Sequence, residues 1–179
     1  MLEARVSLAH GAQVGGGTVN LTRPFSHSGL GFVTGVLVDP RRDLGFVAAL
    51  NLRERLLIAY CFARRDFPWI AIWEENRAIT AAPWKRRTQA RGLEFGTTPL
   101  PVERREEFLE GGPLFEVPTV GCLPARGTRV VRYAAFLAHL TASFTQISDI
   151  ELGEKEFLVV DANRKEPLRV RASKASDLV

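Results

Sequence analysis

The sequence predicts an all-β protein built as an antiparallel β-sandwich. Apolar runs of strand length, rich in β-branched and aromatic residues, recur along the chain; Gly- and Pro-containing turns separate them; and helix signals are few. At 179 residues the chain has the length of one ordinary domain and can bury a sizeable core. A composition of 46% hydrophobic and 25% charged residues excludes a disordered chain, and 15 Gly with 10 Pro is too little for a fibrous repeat. No apolar run reaches the roughly 20 residues that a membrane helix needs.

Residues 1–23 form an N-terminal segment. Its first ten residues carry Glu3 and Arg5 but no signal-peptide apolar core, and Gly15-Gly16-Gly17 reads as a flexible turn. The sandwich domain spans 24–172. Residues 30–38 (LGFVTGVLV) make its first strong strand, 39–43 (DPRRD) a turn, and 44–50 a second strand, so the two are expected to form a hairpin. Residues 56–63 are a third apolar run, closed by Arg64-Arg65-Asp66 and kept from continuing by Pro68. Residues 69–73 (WIAIW) make a short strand with Trp69, Ala71 and Trp73 on one face. Leu93-Glu94-Phe95 is a strand between Gly92 and Gly96. Residues 103–110 (ERREEFLE) fit about two turns of helix, stopped at Gly111-Gly112. Residues 130–137 (VVRYAAFL) are expected to form a strand; the alanine content of 134–141 suits a helix, but Val130, Val131 and Tyr133 favour β. Residues 157–160 and 168–170 are the last strands, and the polar tail 173–179 is expected to fray. No internal repeat or low-complexity segment is present.

The net charge of +4 is modest and the cations are strongly skewed to Arg, with Lys only at Lys85, Lys155, Lys165 and Lys174. The Arg pairs at 41–42, 64–65, 86–87 and 104–105 are dispersed and interleaved with acids, which argues against a nucleic-acid-binding face. Cys61 lies in an apolar run and reads as a buried small hydrophobe; Cys122 follows Gly121. No C-x-x-C pair or metal-ligand spacing links them to His10, His27 or His139, so neither a metal nor a cofactor is expected, and a reduced, cytoplasmic setting is. There is no phosphate-binding Gly loop and no Ser-His-Asp ordering.

Residues 66–101 are the densest in chemistry. All three Trp lie there (Trp69, Trp73, Trp84), with Glu74, Glu75, Glu94, Arg77, Arg86, Arg87 and Arg91. A sugar site needs aromatic faces for the C–H face of a pyranose, and carboxylates and Arg for its hydroxyls. The other reading makes Trp69 and Trp73 core residues on one strand face. Glu94 is the sharpest single residue. A carboxylate in an apolar strand is costly unless paired or functional, two flanking Gly let a ligand approach the backbone, and a Glu facing a cleft can act as a general base. Strand alternation also sets Glu94 apart from Leu93 and Phe95, which would turn it to solvent.

The order of these pieces resembles the later half of the galactose mutarotase-like family, the aldose 1-epimerases and their relatives. The matching pieces are Ser26-His27, then Asp39-Pro40 with Gly45, then Phe67-Pro68-Trp69 through Trp73, then 93–99 (LEFGTTP), and last 123–127 (LPARG) leading to Tyr133 and Phe136. The similarity covers roughly residues 24–137. It implies a β-supersandwich, here incomplete, with the N-terminal segment as the remnant of an absent first half. It also implies chemistry at the anomeric carbon of a small-molecule sugar: Glu94 would be the base that takes the C1 hydroxyl proton, with His27, Trp73 and Arg91 near the sugar. Ser26 stands where the family has Asp, and Phe95 where it has Pro. The alternative is a non-catalytic carbohydrate-binding or interaction domain of the same fold, as a fragment of a larger sugar-active protein. In an incomplete sandwich, exposed sheet edges predict a homodimer. Neither nucleic acid nor membrane is an expected partner.

Overall fold

A computed structural model describes residues 10–12, 18–22, 28–100, 106–163 and 166–179. In chain order its elements are β1 (His10–Ala12), β2 (Thr18–Asn20), β3 (Leu30–Leu37), β4 (Leu44–Asn51), β5 (Leu56–Ala63), β6 (Trp69–Asn76), β7 (Gln89–Gly96), α1 (Glu106–Gly111), β8 (Tyr133–His139), β9 (Asp149–Leu152), β10 (Glu156–Val160) and β11 (Leu168–Arg171). A 3-10 turn, Ala175–Leu178, closes the chain. The strands form sheets β3-β6-β7, β4-β5-β8 and β11-β10-β9 and a small β1-β2 hairpin, with every neighbouring pair antiparallel. The all-β sandwich class is therefore observed. Among the described residues no helix is long and apolar enough to cross a membrane.

The β4-β5-β8 sheet is the middle layer. On one face Leu44, Phe46, Ala48, Leu50, Leu57, Ala59 and Cys61 pack against Ile150, Phe157 and Val159 of the β9-β10-β11 sheet. On the other, Val47 and Phe62 pack against Val36, Ile70 and Ile72 of the β3-β6-β7 sheet. Apolar residues at consecutive positions of β4 and β5 have this cause: one face of each strand is buried throughout, and the other is covered around Val47 and Phe62. β3, by contrast, is only half covered, which suits an outer layer.

That difference explains a correction. The runs 30–38 and 44–50 do not form a hairpin: β3 pairs with β6 and β4 with β5. Residues 39–43 do turn, with Arg42 N–H donating to Asp39 O at 3.1 Å, but the turn is a corner that carries the chain from the outer sheet to the middle one. Arg42 reaches across to the third sheet, donating to Asp149 at 2.7 Å and to the Ile150 carbonyl at 3.3 Å, with its guanidinium over the Phe46 ring. A Pro-containing turn has the same local chemistry whether the flanking strands pair or separate. The tail is a second correction. Instead of fraying, it docks, because Ala175 and Leu178 are buried against the core beside Phe157. The strand expected at 130–137 begins at Tyr133 and runs to His139, and the expected helix is seen from Glu106 to Gly111, with residues 103–105 outside the described ones.

The two cysteines are free, Cys61 buried and Cys122 exposed. Burial pushes the Cys61 thiol up to about 12. At about pH 8 a thiol reagent is therefore expected to label one Cys per native chain, at Cys122, and both after denaturation. Rapid labelling of two thiols in the native protein would contradict the packing of β5.

One contact locks the outer and middle sheets. Gly45 lies opposite Phe62 in the β4–β5 register, and a Cβ at Gly45 would sit 2.4 Å from the Phe62 ring. The ring cannot yield, being fully buried and stacked on Phe95 at 4.5 Å. Gly45→Ala is therefore expected to destabilise the fold by about 1–3 kcal/mol, the usual cost of overpacking, as read from urea unfolding.

Candidate functional site

The β6–β7 register sorts the expected site residues onto two faces of one sheet. Trp73 lies opposite Gly92, Ala71 opposite Glu94, and Glu74 opposite Arg91. Side chains directly opposite share a face, and successive ones alternate. Trp73 and Glu94 therefore project away from the middle sheet, whereas Glu74 and Arg91 project into the core.

Arg91 is thus turned away from the face that carries Trp73 and Glu94. It forms an ion pair with Glu74 in which both side chains are only 2% exposed. Its Nε donates to Glu74 Oε2 at 2.6 Å, Nη2 donates to the same oxygen, and Nη1 donates to the Leu21 carbonyl at 2.7 Å. Sequence alone offers no way to see this, because the arginine and its partner are 17 residues apart and meet only through strand register.

The outward face holds the candidate site. At Gly92 the position of a Cβ lies 3.4 Å from both the Trp73 ring and Glu94 Oε1, so indole and carboxylate converge over a glycine and a larger residue would crowd them. Glu94 is exposed and Trp73 half-buried. Trp84 joins them from the β6–β7 connection, its ring 5.4 Å from Trp73 and tilted by 57°. The connection folds back because its backbone bonds to itself: Arg77 N–H to Thr88 O, Lys85 N–H to Ala81 O and Arg86 N–H to Ile79 O, each at 2.9 Å. Glu75 pins it. Although on the outward face, Glu75 is 2% exposed, and its Oε1 accepts the Ile79 N–H at 2.9 Å.

Trp69 takes the core reading. It is 3% exposed and its Nε1 donates to the Pro118 carbonyl at 2.8 Å. His27 lies outside the described residues. His139 is exposed at the end of β8, in a different sheet from Glu94. Trp84 is the site residue that the order of elements did not single out; the available signal was a Trp directly after the Pro of the stretch that follows Trp73. Among the described residues no group of three or more His, Cys, Asp and Glu side chains converges to hold a metal ion. A separate open cleft of about 300 Å³ lies at the Trp69 end, lined by Arg64, Asp66, Thr97, Val117, Cys122 and Arg129, and contains none of the expected site residues.

Compared with protein-family models, curated proteins and solved structures, the chain matches none of them.

The buried ion pair sets a stability test. Arg91→Met leaves the Glu74 carboxylate buried without its main partner and should cost about 3–5 kcal/mol in urea unfolding, whereas Arg91→Met with Glu74→Leu should recover most of the loss. Equal losses in both variants would show that the arginine acts only through its packing.

Proposed function

We propose that the chain is a carbohydrate-binding β-sandwich domain whose platform is Trp73, Trp84 and Glu94. The observation that carries this reading is the convergence of the two indoles and the carboxylate on the outward face of one sheet. A tilted indole pair offers a shallow apolar surface to the C–H face of a pyranose, and an exposed carboxylate beside it accepts hydrogen bonds from ring hydroxyls. The platform is open rather than enclosed, which suits one face of a chain-like saccharide.

The resemblance to aldose 1-epimerases gives the same carboxylate a further role, proton abstraction at C1. That chemistry needs a proton donor across the sugar from Glu94. None of β3, β6 and β7 contains a histidine, and the arginine next in line is turned into the core. Binding is therefore the reading supported, with catalysis assigned no residue beyond Glu94.

Tryptophan fluorescence during titration with a panel of mono- and oligosaccharides tests this. Trp84→Ala should abolish the response, and Glu94→Gln should weaken binding about tenfold, the loss of one charged hydrogen bond. Polarimetry with α-glucose and α-galactose should show no acceleration over buffer. No response to any saccharide would overturn the binding reading, and mutarotation lost in Glu94→Gln would replace it with the catalytic one.

Self-association is inferred from a different observation. β8 ends its sheet, its seven residues include no Lys, Arg, Asp or Glu, and Tyr133 and Leu137 are exposed at 59% and 65%. Edge strands of monomers usually carry charges that repel a second edge. A twofold pairing centred on Phe136 would set Ala135 beside Leu137 of a second copy with no charge opposed. Sedimentation is expected to show a dimer that Leu137→Lys converts to monomer; a monomeric parent chain at high concentration would rule the pairing out.

A further inference from the structure

Lys85, Arg86 and Arg87 follow Trp84 directly, and all three are exposed. Among the described residues none of them takes part in a salt bridge. The acids that precede them on β6 are already engaged: Glu74 with Arg91 in the core, and Glu75 with the Ile79 N–H beneath the connection; Glu94, seven residues beyond Arg87, forms no salt bridge with them. Three adjacent, exposed positive charges thus follow Trp84 directly, with no salt bridge among the described residues.

Their backbone is fixed in an uncommon conformation. Lys85 and Arg86 have φ of 45° and 57°, in the left-handed region that non-glycine residues rarely enter. They are held there by the bonds from Lys85 N–H to Ala81 O and Arg86 N–H to Ile79 O, with Arg87 N–H closing onto the Trp84 carbonyl at 2.9 Å. Residues kept in sparsely populated conformations by their surroundings cluster at ligand sites. Here the hydrogen bonds fix the backbone that carries the three cations relative to Trp84.

Resting on the platform reading above, we propose that the ligand is an acidic polysaccharide whose sugar rings lie on Trp73 and Trp84 and whose carboxylate or sulfate groups meet Lys85, Arg86 and Arg87. Guanidinium groups match such oxyanions with two parallel hydrogen bonds. Glu94 favours a glycan over single-stranded DNA. Its carboxylate accepts hydrogen bonds from the hydroxyls of a sugar ring, which a DNA strand lacks.

Tryptophan fluorescence titrations with polygalacturonate, dextran sulfate, neutral dextran and an oligothymidylate test the proposal at low and high salt. The acidic glycans are expected to bind at least tenfold more tightly than neutral dextran, with affinity falling as salt rises. The response to one and not the other distinguishes carboxylate from sulfate. Changing Lys85, Arg86 and Arg87 together to Gln should remove that preference while leaving any weak dextran binding intact, and Trp84→Ala should remove both. Circular dichroism of each variant checks the fold, and Arg86→Glu alone, at an exposed position, should already weaken acidic-glycan binding. Equal binding of neutral and acidic glycans would overturn the proposal and leave the platform reading standing; silence from every glycan would overturn both. Tighter binding of the oligothymidylate than of either acidic glycan would overturn it in favour of a nucleic-acid surface.

Discussion

The two-sided burial of β5 is the constraint on which the rest of the structure depends. Leu57, Ala59 and Cys61 face one core, and Phe62 faces the other. A strand apolar on both faces cannot lie at the surface of a two-layer sandwich, so a sheet must cover each side. Everything else follows from supplying those covers. β3, β6 and β7 provide one, with Phe95 stacked on Phe62, and β9, β10 and β11 provide the other, with Ala175 and Leu178 of the C-terminal turn packed into the same core. Because the first cover has one face toward the core, its other face is left to be shielded by connections or to meet solvent.

That remaining face is where the candidate site lies, and its extent is set by how far the connections reach. At one end Trp69 is sealed by its bond to the Pro118 carbonyl. At the other, the β6–β7 connection covers Glu75 but ends in Trp84 standing beside Trp73. Between these ends Glu94 and Val33 stay exposed. The two tryptophans on the outward face of β6 are thus graded from buried to half-buried.

Much of the strand content was legible from sequence, because a buried strand writes its apolar run directly into the chain. The third run coincides with β5 at both ends. Strand pairing was not legible. The turn at 39–43 has the residues of a hairpin, and only the unequal burial of β3 and β4 separates them into different sheets. The tail misled for a related reason: two buried side chains, Ala175 and Leu178, suffice to dock a segment whose overall composition is polar. In the site, alternation placed Glu94 toward solvent, apart from Leu93 and Phe95, but could not say what would stand beside it. Trp84 arrives through a connection whose path is fixed by Glu75, a contact with no periodic signature.

The fates of three nearby carboxylates show why register, rather than residue type, decides chemistry here. Glu74 and Glu75 are adjacent in sequence, and both are 2% exposed, yet they are buried for different reasons. Glu74 points into the core, where its charge is tolerable because a guanidinium and its own hydrogen bonds replace water. Glu75 points outward and is buried only because a connection folds over it, turning its carboxylate into the anchor of that connection. Glu94, on the same outward face but one strand further, lies beside a glycine and under no connection. It alone of the three keeps both water and an aromatic neighbour. The missing side chain at Gly92 leaves the space over which the exposed carboxylate and the half-buried indole approach each other, so register and a glycine together set which acid can meet a ligand.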